Sequence, residues 1–183
     1  MAERLSALTH LSAPPAGARV TLSEVRAGSI LQVQAWPVTA NAVRRVIAEL
    51  LGVEAPVIGR STIGAGATIV AIAHGRYLVS ADAGDLVQKF EAALPSSDAA
   101  VSDISHGRVI LKLEGEAAAA VLATSVALDL DPSAFPAGRV VQTMIHHVDV
   151  VIHRRSETSF ELWVLRSFAE SLAEWLLDQA AGG

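Results

Sequence analysis

One order of hydrophobic patterns occurs twice along the chain, and a polypeptide made of two such units has few folds open to it. From Val20 to Trp36, β-branched residues alternate in part with polar ones and break at Ala27-Gly28-Ser29, which predicts two short strands or one bent strand. A helix follows, with Thr39 as N-cap, with Val43, Val46, Ile47 and Leu50 on one face, and with Gly52 where a left-handed C-cap belongs. After the Pro- and Gly-rich loop APVIGRSTIGAGA, the run TIVAIAHGRYLVSA reads as a hairpin turning at His74-Gly75. Asp82 is then expected to cap a second helix that buries Leu86, Val87, Phe90 and Leu94.

The second half follows the same order. Residues Ala99 to Leu113 read as strands, Glu116 to about Leu128 as an Ala-rich helix, and VVQTMIHHVDVVIHRR with FELWVL as two strands joined at SETS. A last helix has Ser167 and Glu170 at capping-box spacing and an apolar face of Phe168, Leu172, Trp175 and Leu176. Aligning the two terminal helices sets Asp82 on Ser167, Val87 on Leu172 and Phe90 on Trp175. The predicted fold class is therefore α+β: duplicated ferredoxin-like (β-α-β-β-α) halves, each covering one side of a mainly antiparallel sheet with helices. The expected organisation is an extended arm over 1–18, stiffened by Pro14-Pro15, then halves over 19–97 and 98–183 packed as one domain, with the boundary in LPSSD.

Composition narrows the functional classes. Hydrophobic residues make up 51% and charged residues 18%, against a charged share of about 25% in an ordinary soluble domain. The apolar excess requires either a large Ala-rich core or a surface covered by a partner, self-association of the isolated chain included. The formal net charge is −5 and no window concentrates Lys or Arg, so nucleic acid is not an expected partner. No uninterrupted apolar run is long enough for a transmembrane helix and the first residues do not read as a signal peptide, which predicts a soluble protein without a membrane partner, and the absence of cysteine fits the cytoplasm.

Three stretches carry candidate chemistry. DISHGR places Asp103, Ser105, His106 and Arg108 together, but on a strand Asp103 and Ser105 share one face and His106 takes the other, so a turn or interface role is expected over hydrolysis. HHVDVVIH sends His147, Asp149 and His153 to one side of a strand, a donor set suited to zinc. His147 and His153 would stand roughly 20 Å apart on an extended strand, so convergence requires a bend or a contribution from His74. STIGAGAT has Gly64 and Gly66 without the rest of a dinucleotide fingerprint or P-loop, and reads as a connector.

Taken together, DISHGRVILKLEGEAA, LDLDPSAFPAGRVVQTMIHHVDVVIHRR and FELWVLRSFAESLAEWLL resemble the gamma subunit family of heterotetrameric sarcosine oxidase. That family is in turn similar to the folate-binding fold of the glycine-cleavage T-protein. The resemblance implies a bacterial, cytoplasmic flavoenzyme complex that oxidatively demethylates sarcosine to glycine, releases the one-carbon unit on tetrahydrofolate or as formaldehyde, and forms hydrogen peroxide. It implies alpha, beta and delta subunits as partners, with FAD, FMN, NAD and folate on the alpha and beta subunits and zinc on delta. It assigns no cofactor to this chain, in which no catalytic, cofactor-binding or metal residue is expected. His106, Arg108, Arg139, His147, His153, Arg154 and Arg166 are the candidate contacts to neighbouring subunits. The other reading that stays open is an independent folate or one-carbon binding protein of the T-protein type.

Overall fold

The computed structural model describes residues 6–8, 19–64 and 66–181. Most of the arm expected over 1–18 lies outside them. In its described part, the Ser6 hydroxyl and the Ala7 N–H donate to the Glu24 carboxylate.

The elements run β1 (Thr21–Val25), β2 (Ser29–Ala35), α1 (Ala40–Leu51), β3 (Ser61–Gly64), β4 (Ala67–Ala73), β5 (Arg76–Ala81), α2 (Leu86–Ala93), β6 (Ala99–Asp103), β7 (Arg108–Glu114), α3 (Ala118–Ala123), β8 (Val140–Ile145), β9 (Val148–Ser156), β10 (Ser159–Leu165), a 3-10 turn (Arg166–Phe168) and α4 (Ala169–Ala181). The strands form two five-stranded antiparallel sheets, ordered β1-β7-β10-β9-β8 and β3-β4-β5-β2-β6. The strand and helix order of the first half therefore recurs, as β-β-α-β-β-β-α, but each copy gives its leading strand to the other sheet. Strand β1 pairs with β7 through Thr21↔Glu114 to Val25↔Ile110. Strand β6 pairs with β2 through Leu31↔Asp103 to Ala35↔Ala99.

This exchange moves the boundary. The compact units are Arg26–Ser105, and Met1–Val25 with His106–Gly183, instead of halves that part at 94–98. Residues 95–98 form a turn within the first of these, closed by the Asp98 and Ala99 amides on the Pro95 carbonyl. Each unit has its own core. In Arg26–Ser105, Val43, Ile47 and Leu51 of α1 and Val87 and Phe90 of α2 pack against alternate residues of the sheet such as Leu31, Val33, Ile69 and Val79. In the other unit, Leu122 of α3 and Leu172, Ala173 and Leu176 of α4 pack against Leu111, Leu113, Ile152, Phe160 and Leu162.

Several helix boundaries depart from expectation for identifiable reasons. Helix α1 begins after Thr39 and ends at Gly52 with φ 65°, but the Thr39 hydroxyl donates to the carbonyls of Trp36 and Asp98 and does not cap the helix. The N-cap of α2 is Asp85, not Asp82. The chain after β5 is first held between β4 and β2, with Asp82 N–H donating to O of Gly66, just before β4, at 3.1 Å and Ser29 Oγ of β2 donating to Ala83 O at 2.6 Å. The Ala-rich stretch after Glu116 is helical only over Ala118–Ala123, because the Thr124 hydroxyl turns back to Val121 O at 2.7 Å and the next amides, Ser125 and Val126, both close on Leu122 O. Ser167 does not cap the last helix. It lies in the 3-10 turn before α4, where Arg166 N–H is fixed to Gly107 O at 2.9 Å.

Gly28 shows how tightly β2 meets this post-β5 segment: a Cβ there would stand 2.1 Å from Asp82 O. Main chain on both sides leaves no flexible neighbour to move. Gly28→Ala is expected to lower stability by about 3 kcal/mol, read as a shifted urea midpoint at unchanged slope.

Candidate docking surface

The residues of DISHGR do not converge on a reacting centre. Asp103 closes β6, and its Oδ1 accepts the Ser105 amide at 2.9 Å. The buried Ser105 hydroxyl accepts from Ile30 N–H at 2.9 Å and donates to Ile30 O at 3.2 Å, so it is engaged by main chain and splints β2. His106 is exposed and opens the next compact unit. Arg108 then begins β7, and its side chain lies on a face whose composition the strand register defines.

Residues paired directly across antiparallel strands share a face. The pairs Ile110↔Trp163, Trp163↔Val151 and Gln142↔Val151 form one row across β7, β10, β9 and β8. Ile110, Trp163 and Val151 in that row are buried. Two residues along each strand comes the outer row: Arg108↔Leu165 on β7 and β10, then Asp149↔Met144 on β9 and β8. This row is the margin of the buried face. The three turns at that end of the sheet add His106, His146-His147 and Arg166–Phe168.

Among the described residues of its unit, the exposed large apolar side chains lie at this end: Leu165 at 40%, Phe168 at 42% and Met144 at 57% relative exposure. Phe168 was expected in the core stripe of the last helix, but the 3-10 turn carries it outside. Arg108 lies opposite Leu165 in the outer row, half-buried, with Nη1 donating to Trp163 O at 3.4 Å. Burial pulls its guanidinium below the ordinary arginine range, while the charge of Asp149 acts in the opposite sense. The His146 backbone has φ 53°, as two-residue hairpin turns often require, and its ring meets Trp175 edge-on at 3.9 Å. Trp175 is itself held by its Nε1 on Ser125 Oγ at 3.0 Å. Met, aromatic and Arg side chains around a partly desolvated charge are the composition enriched in protein interfaces.

The structure gathers His106, Arg108, His147 and Arg166 at this margin and separates the other three candidates from it. Arg139 is exposed at the start of β8, the opposite end of the sheet. His153 is fully buried, with Nδ1 3.0 Å from Glu161 Oε2, and Arg155 Nε lies 3.4 Å from the other Glu161 oxygen. Arg154 is 2% exposed, and its guanidinium donates to the carbonyls of Leu130, Phe135, Ser156 and Glu157. Its Cζ also stands 5.1 Å from the centre of the Phe160 ring. His153 and Arg154 are therefore internal fastenings and not contacts to a neighbour, because a nine-residue β9 places that end of the strand deep in its unit. The same separation divides the zinc donor set: His147 lies in the β8–β9 turn and Asp149 at the exposed start of β9, while His153 lies farther along the strand against Glu161, and His74 belongs to the other unit. Among the described residues no three His, Asp or Glu side chains are grouped to hold a metal ion. No described helix is long and apolar enough to cross a membrane.

The model of the family described as sarcosine oxidase, gamma subunit, matches residues 34–182. The chain belongs to the sarcosine oxidase gamma subunit family. It is 30% identical to the sarcosine oxidase subunit gamma of Corynebacterium sp. (strain U-96) over 184 residues, covering 96% of this chain and 89% of that protein. The Arthrobacter sp. subunit gamma is 31% identical over 162 residues, covering 87% and 79% respectively. Among solved structures, it superposes on a chain of the heterotetrameric sarcosine oxidase from Corynebacterium sp. U-96 with a TM-score of 0.87 at 30% identity, over 98% of this chain and 95% of that one. The glycine cleavage system aminomethyltransferase T from Bartonella henselae shares the fold, with a TM-score of 0.67 at 23% identity over 87% of this chain and 46% of that protein. The mixed α+β architecture is thus common to gamma subunits and to the T-protein.

Proposed function

We propose that this gamma-family chain is the assembly subunit of a heterotetrameric sarcosine oxidase and catalyses no step itself. The observation that carries the reading is the margin of the β7–β10 face, where the exposed side chains of Leu165 and Met144 share the outer row with Arg108 and exposed Phe168 stands in the turn at that end. A lone soluble chain gains nothing from keeping such a patch wet, whereas a partner surface that covers it gains from each apolar group removed from water. The partners would be the alpha, beta and delta subunits, which would carry FAD, FMN, NAD, folate and zinc. The complex would work in the cytoplasm, demethylating sarcosine to glycine and peroxide with the one-carbon unit leaving on tetrahydrofolate or as formaldehyde. His106, His147 and Arg166 are the polar rim we assign to this contact, beside Arg108. In this reading the recurring strand and helix order is a duplicated, ferredoxin-like arrangement of the T-protein type, kept for its shape rather than for folate.

Co-expression with the three other subunits tests the proposal. One assembly by size, with sarcosine-dependent peroxide release that requires the large subunits, is the expected result. The purified chain alone is expected to show no flavin absorbance and no change in Trp fluorescence on titration with reduced folate. Saturable folate binding or turnover by the chain alone would overturn it.

A further inference from the structure

The Arg26–Ser105 unit carries a second solvent-exposed feature. Either side of the His74-Gly75 hairpin turn lies a lobe of one cleft, 420 Å³ between the turn and Arg44, Pro56, Val57 and Ile58, and 380 Å³ between the turn and Gln34, Trp36, Pro37 and Arg76. Three features of its lining point to one kind of occupant. First, the charged and titratable groups that line it are Arg44, His74 and Arg76, with the buried phenol of Tyr77 beside them and no carboxylate, although the chain as a whole has 19 acidic against 14 basic residues; Glu54 lines a separate hollow that shares Asn41 and Arg44. None of the three forms a salt bridge among the described residues, and their hydrogen bonds go to neutral oxygens: Arg44 Nη1 to Pro56 O and Arg76 Nε to Gln34 Oε1.

Second, Ala40 and Asn41, the start of the twelve-residue helix α1, line the same cleft. That helix has no acidic residue in its first turn and no side-chain cap, so its amide end adds positive potential where the arginines already supply it. Third, the rim is apolar and wet: Val57 and Ile58 are each 61% exposed and Trp36 39%. The β4 register shifts between Ala71 and Ala73 at this turn, the kind of irregularity that re-aims side chains beside binding sites.

We infer that this cleft receives an acidic segment of a partner subunit that bears at least one apolar anchor side chain. Positive charge bonded only to neutral oxygens selects carboxylates, and the Trp, Val and Ile rim selects a side chain that can be withdrawn from water. A free small carboxylate would satisfy the arginines but leave the rim exposed, which is why a polypeptide fits better. The inference rests on the assembly reading above, although it concerns a different surface from the Arg108 margin.

The test uses the co-expressed complex and measures its dissociation constant at low and high salt for the wild type, Arg44→Glu/Arg76→Glu and the milder Arg44→Gln/Arg76→Gln. The expected result is weakening of about tenfold or more for the glutamate pair, less for the glutamine pair, and a flatter salt dependence in both. Far-UV circular dichroism confirms that the variants fold; if the glutamate pair does not, the glutamine pair decides. Unchanged affinity in a folded variant overturns the cleft, and so does weakening with an unaltered salt slope, since the occupant would then not be acidic. Acetate binding that both variants lose while assembly is untouched makes this a small-anion site and overturns it too. Absence of any complex with the wild-type chain removes the assembly reading, and the cleft with it.

Discussion

Arg154→Ala is expected to lower the unfolding free energy by about 4 kcal/mol. The wild-type guanidinium makes four main-chain contacts: Nη1 to Leu130 O at 2.7 Å and Phe135 O at 2.9 Å, Nε to Ser156 O at 3.0 Å and Nη2 to Glu157 O at 2.8 Å. These carbonyls belong to the segment between α3 and β8 and to the turn between β9 and β10, so one side chain ties two otherwise irregular loops to the sheet. Alanine leaves buried acceptors without a donor and opens a void beside Phe160. Lysine would restore a charge but not the planar fork that reaches four oxygens, and Arg154→Lys is expected to recover less than half of the loss. In a chain of this length the alanine variant should melt roughly 10 °C lower. Amide exchange should rise first in residues 129–139, where Asp131 accepts the Ser133 amide and hydroxyl and is held below the usual carboxylate range mainly by that hydroxyl. A melting point within ~2 °C of wild type would show that water replaces the guanidinium without cost.

The second large effect is on assembly. Leu165→Asp is expected to weaken association with the other subunits about 30-fold, the consequence of losing a central contact worth about 2 kcal/mol. Leu165 is 40% exposed at the end of β10, so the substitution should change the stability of the chain itself by less than about 1 kcal/mol. The aspartate would lie opposite Arg108 in the register and could pair with it, which would confuse loss of apolar contact with a new ion pair. Leu165→Ala separates the two, because it removes the apolar contact without adding a charge: its loss of affinity should not depend on salt, while that of Arg108→Glu should. Arg139→Glu, at the far end of the sheet, is the control and should assemble normally. Unaltered recovery of the complex with Leu165→Asp would dismiss the margin as the contact.

Much of the secondary structure was legible because its signals are local. Gly52 takes the left-handed C-cap expected of it, the turn at His74-Gly75 joins β4 and β5, and SETS joins β9 and β10. The misreadings share a cause. Asp82 and Ser167 have good capping chemistry, yet both stand where the chain is first held by a contact distant in sequence, Gly28 under Asp82 O and Gly107 O on the Arg166 amide. Local propensity is a weak prior, and long-range contacts routinely override it.

The candidate contacts show the same division. Seven polar residues were set apart by type, and type does not say which way a side chain points. His153 and Arg154 are the most buried of them, while the exposed apolar residues Leu165, Met144 and Phe168 have the alternation or helical spacing of core residues, so sequence pattern alone does not distinguish them. A hint was present in FELWVL, where Val164 and Leu165 are consecutive apolar residues and only one can face the helices.

What the amino-acid order settled by itself was the repeated order of strands and helices, because periodicity and turn chemistry act over a few residues. The resemblance to the family lay in the particular residues of the second half, such as LRSFAESLAEWLL after a strand, and not in their periodicity. Which strand joins which sheet was decided only in three dimensions. A leading strand such as β1 or β6 has the same alternation whichever neighbour it pairs with, and the exchange is determined by what each edge can bury and bond, β1 on β7 and β6 on β2. That pairing also decided which face carries Arg108 and Leu165 to the margin.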